Sequence, residues 1–165
     1  MMERMPHRPG RKGTRTAAET ELRPGEKLSA LFPALTPPPH TGGGQALDGL
    51  ALLIVAAEHL AWRRRSRVTA RTSMFPLAPR MFIGLTDSRI LVWSARYRWR
   101  IGRYLGDVSL DRVMAAEAPT AGSGWRTVVM HLADGPKVPI KVPDSIADHL
   151  ASGLSGRARG GSASR

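Results

Sequence analysis

Arginine is the residue type with which this 165-residue chain could do chemistry, and two stretches concentrate it. The first is ARYRWRIGRY, residues 95–104. In extended form its Arg96, Arg98 and Arg100 share one face, while Tyr97, Trp99 and Ile101 share the other, and Arg103 follows shortly. A basic and aromatic hairpin tip of this kind suits phosphate headgroups, with rings at the membrane interface. It suits a nucleic-acid backbone with stacked bases equally well. Ordinary strand pairing, with aromatics inward and arginines in water, accounts for the same alternation. The second stretch is AWRRRSR, residues 61–67. Its Trp62, Arg63, Arg64 and Arg65 could sit at headgroup depth on acidic lipid, or could end a packed helix whose dipole favours cations there.

Other chemistries lack their residues. There is no cysteine, which removes thiolate ligands, thiol nucleophiles and disulfides. His7, His40, His59, His131 and His149 do not stand at metal-ligand spacing, and Glu58-His59 has no second histidine four residues on. The triple glycine at 42–44 lacks the Gly-Lys-Ser/Thr of a phosphate loop. Ser123 in AGSGW lacks the first glycine of a nucleophile elbow, and no RNP-type aromatic motif is present. No metal or cofactor is expected, and an enzyme is the least supported reading.

The formal net charge is +12 and the sequence pI about 11.5, which favours anionic partners. Nearly all the basic residues are arginine, the lysines being Lys12, Lys27, Lys137 and Lys141. With abundant Ala, Gly and Pro, this bias fits a GC-rich coding sequence, so part of the charge is compositional rather than dedicated to a ligand. The first dozen residues are basic but no apolar segment follows them, so a secretory leader is not expected. The run LALLIVAA at 50–57 is far shorter than the roughly 20 residues of a spanning helix. The expected address is the cytoplasm, peripheral at the inner face of the membrane on the lipid reading.

The elements that must position these arginines follow from periodicity. Residues 1–21 and 153–165 are polar and read as disordered tails. Residues 22–79 read as an N-terminal extension carrying an apolar helix at about 45–66, preceded by the break TPPPHTGGG and followed by the Pro-punctuated connector TSMFPLAP. An apolar pattern at Leu28, Leu31, Phe32 and Leu35 fits a strand or a helical turn. From residue 80 the pattern is β, with strands expected at 81–86, 89–95, 103–109, 112–118, 125–132 and 137–142 as consecutive antiparallel neighbours. A helix from Asp144 to about Leu154 closes the unit, with Ile146, Leu150 and Leu154 on one stripe.

The tightest turn lies in GLTDSRILVW, residues 84–93. Asp87 is placed to accept backbone N–H groups two residues on, and Arg89 to lie beside it or to cover an open barrel end with its stem. T-D-x-R-[IL] between two apolar strands, here Thr86-Asp87-Ser88-Arg89-Ile90, resembles the hairpin signature of bacterial PH-like and GRAM-like domains. LGDVSLDRV at 105–113 looks like the following strand and turn of those families, and LRPGE at 22–26 is similar to their start. The resemblance covers residues 80–152. It implies a mainly β fold with α, a partly open antiparallel barrel of seven strands with a C-terminal helix, counting 28–34 as the first strand. The apolar N-terminal helix is an addition to that pattern. A non-enzymatic binding module is then expected, engaging acidic lipid headgroups or a protein partner through Arg96, Arg98, Trp99, Arg100 and Arg103. The alternative is a nucleic-acid-binding protein using the same arginines.

Overall fold

β-branched and aromatic residues alternating between Gly, Pro, Ser and Asp breaks produce the strands, and longer runs without proline produce the helices. The computed structural model describes residues 11–37, 50–118, 124–133, 135 and 137–160. In chain order these are α1 (Arg11–Glu19), β1 (Ala30–Leu35), α2 (Leu50–Ser73), β2 (Arg80–Leu85), β3 (Arg89–Arg96), β4 (Arg100–Ser109), β5 (Val113–Glu117), β6 (Trp125–Leu132), β7 (Val138–Pro143) and α3 (Asp144–Gly160). The molecule is mainly β with helices: one seven-stranded antiparallel sheet, not closed, in the order β4-β3-β2-β1-β7-β6-β5.

The expected chain of six consecutive neighbours breaks between β4 and β5, which are the two edges of the sheet. A single 3-10 turn, Leu110–Arg112, joins them, and the Leu110 N–H donates to Ser88 O at 2.9 Å, pinning that turn to the β2–β3 corner. Two meanders result, and β1 joins them. It pairs with β2 along its whole length and with β7 at Leu35 opposite Lys141. The strand alternative at 28–35 is therefore the one realised.

The bent sheet has an apolar cluster on each face. The larger holds Phe32, Met81, Ile83, Ile90, Val92, Val128, Met130 and Ile140, covered by Ala147, Leu150 and Leu154 of α3, with Ile146 partly buried beside them. This is the stripe expected of the closing helix. The smaller lies on the other face of the first meander, where Phe82, Leu91 and Trp93 pack with Leu28 and with Ala18 of α1. Residues 11–19, expected within a disordered tail, thus form a helix, because Ala18 and Leu22 have an apolar face to cover. Arg15 fixes its position, pairing with Glu19 one turn away and donating to Leu28 O at 3.1 Å. Residues 1–10 and 161–165 of the expected tails lie outside the described residues. Helix α3 runs on to Gly160, beyond the expected end near Leu154.

Helix α2 ends at Ser73 rather than near 66. Nothing in VTARTS breaks a helix, and the stop comes from Pro76, which disfavours helical backbone at the residue before it. Met74 takes the left-handed conformation (φ 53°), and Ser73 Oγ accepts the Phe75 N–H at 3.2 Å. Ser66, Ala70 and Ser73, three to four residues apart, face inward in the described part of α2: Ser66 and Ser73 are buried, and Ala70 packs on the larger cluster. The connector behind it places Phe75 and Leu77 inside that cluster and Pro76 against Gly106 of the β4 edge. The insert therefore supplies core to the open side of the sheet. The residues before α2, at 38–49, and the side chains of its apolar run at 50–57 lie outside the described residues, as do the loop at 119–123 and the expected Asp134 turn.

Candidate functional site

The three short motifs TDSRI, LRPGE and LGD converge on one buried ion-pair cluster. Arg89 leaves β3 with 8% of its side chain exposed, and its guanidinium grips the Glu26 carboxylate in a fork, Nε to Oε1 at 2.9 Å and Nη2 to Oε2 at 2.7 Å. Its Nη1 pairs with Asp107 of β4, and Nη2 also donates to Glu21 O at 2.9 Å. Thr86 Oγ1 donates to Glu26 Oε1 at 2.8 Å and accepts the N–H groups of Ser88 and Arg89 at 3.3 and 3.1 Å. Threonine, not Asp87, receives the Arg89 N–H that fastens the turn, which corrects the role expected of Asp87. A hydroxyl can donate to the carboxylate and accept from the backbone at once, whereas an ionised carboxylate only accepts. Hydrogen bonds from Arg89 hold the Glu26 carboxyl near pKa 2, against the opposing effect of burial, with the Arg23 N–H and Thr86 adding to the depression. The same pairing raises Arg89. Every strong group in this cluster is spent on another, so its chemistry is structural.

The first and last residues of GLTDSRILVW also meet. A Cβ on Gly84 would stand 2.8 Å from the Trp93 ring and 2.9 Å from Leu28 Cδ1, so only glycine lets that ring, 1% exposed, lie across the strand.

The opposite end of the sheet carries the arginines. The chain does not stay extended through ARYRWR. Arg96 and Arg100 are cross-strand partners, and Tyr97–Trp99 forms the turn between them, with Arg98 and Trp99 both left-handed (φ 57° and 54°). The expected common face of Arg96, Arg98 and Arg100 is thus replaced by a hairpin tip, where Arg96 and Arg100 share a face through pairing and Arg98 stands at the apex. All three are exposed, as is Arg103. Trp99 folds back onto protein: edge-on to Phe82 at 6.2 Å, stacked on Trp125 of β6 at 5.8 Å, and covered by the Arg80 guanidinium at 5.9 Å. Tyr97 points away, 80% exposed, with the Arg98 guanidinium 5.5 Å from its ring centre.

The second basic stretch begins at this same end. Trp62 Nε1 donates to Thr36 O at 3.0 Å, the Thr36 N–H donates to Pro79 O, and the adjacent Leu35 pairs with Arg80, whose guanidinium covers Trp99. Trp62 is thereby half-buried against the end of β1, while Arg63, Arg64 and Arg65 stand exposed on α2. Among the described residues, no carboxylate pairs with any of these seven arginines, whereas Arg126 nearby is matched by Asp144 and Asp148. Asp87, at the far end of the sheet, is the sole acidic residue between Glu58 and Asp107. Sequence reading had the arginines but missed Arg80 and Trp125. Neither belongs to a local pattern, and only the fold brings them to Trp99.

No helix among the described residues is long and apolar enough to cross a membrane. No protein-family model matches the chain, and no curated protein is significantly similar to it.

Proposed function

We propose that this chain is a non-enzymatic PH-like binding module that docks on acidic membrane surfaces through the arginine-rich end of its sheet, at the inner face of the membrane. Two antiparallel meanders packed with a C-terminal helix support the PH-like reading, as does the joining of LRPGE, TDSRI and LGD in one ion-pair cluster. The observation that carries the binding reading is the exposure of Arg96, Arg98, Arg100 and Arg103 on the hairpin, and of Arg63, Arg64 and Arg65 directly after the Trp62 anchor, with no described carboxylate to neutralise them. Cations left without internal partners keep their attraction for an external anionic surface, about 1 kcal/mol each near acidic lipid.

The nucleic-acid alternative loses Trp99 as a stacking platform and keeps only the Tyr97 ring. Single-stranded nucleic acid is held by aromatic faces open to bases. The Trp99 ring is instead occupied by Phe82, Trp125 and Arg80. The test is sedimentation with vesicles of phosphatidylcholine alone and with added phosphatidylserine, beside gel shifts with DNA and RNA. Binding confined to the acidic vesicles is expected. Gel shifts without vesicle binding would transfer the arginines to the nucleic-acid reading.

A further inference from the structure

Two aromatic residues occupy the β3–β4 turn, and they are not equivalent. Trp99 is held by ring contacts on protein and is half-buried. Tyr97 has 80% of its surface in water and is flanked by Arg96, Arg98 and Arg100. A lone exposed ring is common on protein surfaces and by itself means little. Here it coincides with a second feature. Arg98 and Trp99 are consecutive bulky residues in the left-handed region, where glycine or asparagine costs far less, and such strain collects at functional turns. The conformation sends the Trp99 ring back to the sheet and leaves the Tyr97 ring exposed in the turn beside Arg98.

We infer that Tyr97 enters the lipid interface when the arginine-rich end meets an acidic bilayer, with Trp99 acting as the positioning residue that holds the turn in shape. This rests on the membrane-docking reading above. Tyrosine suits that depth, since its ring buries among the first carbons while its hydroxyl stays with the headgroups. Arginines around it reach lipid phosphates without desolvating fully, because their long stems extend outward. The ligand recognised is then a bilayer surface rather than an isolated anion, and a soluble phosphate compound should compete poorly.

Because the chain has no cysteine, a single thiol can be placed anywhere and labelled uniquely. An environment-sensitive fluorophore attached through Tyr97→Cys is expected to shift to the blue on phosphatidylserine-containing vesicles. The same label on Lys27→Cys, exposed beside the buried ion-pair cluster at the other end, should not shift. In sedimentation, Tyr97→Ser should weaken vesicle binding about fivefold at unchanged melting temperature, from partial burial of one ring, while Tyr97→Trp keeps it. Vesicle binding by wild type with no shift at position 97, or with Tyr97→Ser binding as well as wild type, overturns the insertion alone. Failure of the wild type to bind the vesicles overturns both the insertion and the docking reading beneath it.

Discussion

A carboxylate, a guanidinium and one hydroxyl tie the segment before β1 to the β2–β3 turn. Glu26 arrives from the segment before β1 and meets Thr86 and Arg89, 60 and 63 residues later. With Glu26 held near pKa 2 instead of the ordinary 4.5, its contribution to stability is fully present above about pH 4.5 and is lost as pH falls toward 2. Acid unfolding of the wild type should therefore steepen through that window, and Glu26→Gln should flatten it. At neutral pH, Glu26→Gln should cost about 3 kcal/mol, the lower end for breaking a buried pair because Asp107 still faces Arg89. Chemical denaturation at several pH values measures both effects. Thr86→Val keeps the shape but leaves the Ser88 and Arg89 N–H groups without the hydroxyl, and about 1–3 kcal/mol of stability should go with it.

At the scale of elements, the informative pieces are those added to the two meanders. The connector after α2 buries Phe75 fully in the larger cluster and sets Pro76 against the β4 edge. Phe75→Ala should cost about 3–5 kcal/mol if this segment is core, as a phenyl cavity does elsewhere. A loss below about 1 kcal/mol by denaturant titration would show the connector to be dispensable covering. The β3–β4 turn makes the converse point. Trp99→Ala should cost about 2 kcal/mol, less than a fully buried tryptophan, because the ring bridges Phe82 and Trp125 from a half-buried position. Vesicle binding should fall with it only as far as the turn loses its shape.

On the whole molecule, charge is arranged by end. The Glu26, Arg89 and Asp107 cluster neutralises one end internally, while arginines without described partners gather at the other. Changing Arg96, Arg98 and Arg100 together to Ser should lower affinity for acidic vesicles roughly a hundredfold if their contributions add. Melting temperature should hold or rise slightly, since Arg96 and Arg100 oppose each other across the hairpin and like charges there repel. Added salt should weaken wild-type binding far more than that of the triple variant. An unchanged vesicle affinity for the triple variant would leave these arginines as solvated surface.

Local pattern was enough for the β character, the hairpin at 86–90 and the inward stripe of α3, because strand and helix periods are written into successive residues. It also singled out the arginines, whose exposure follows from charge alone. Partners distant in sequence were another matter. Asp87 stood closest to the turn, yet Thr86 holds it, because the deciding group is Glu26 from another segment. Residues 11–19 lacked the large apolar residues of a core element, and only the second apolar face of the sheet, with Phe82, Leu91 and Trp93, gives Ala18 something to cover. Trp99 could be read as a ligand contact or as an inward packing residue, and alternation did not say that Trp125 and Arg80 are what it packs on. Tyr97 was left outside by a backbone twist that no propensity predicts. Periodicity reports which side of a strand a residue takes, while what stands on that side is decided by chain closure over long separations.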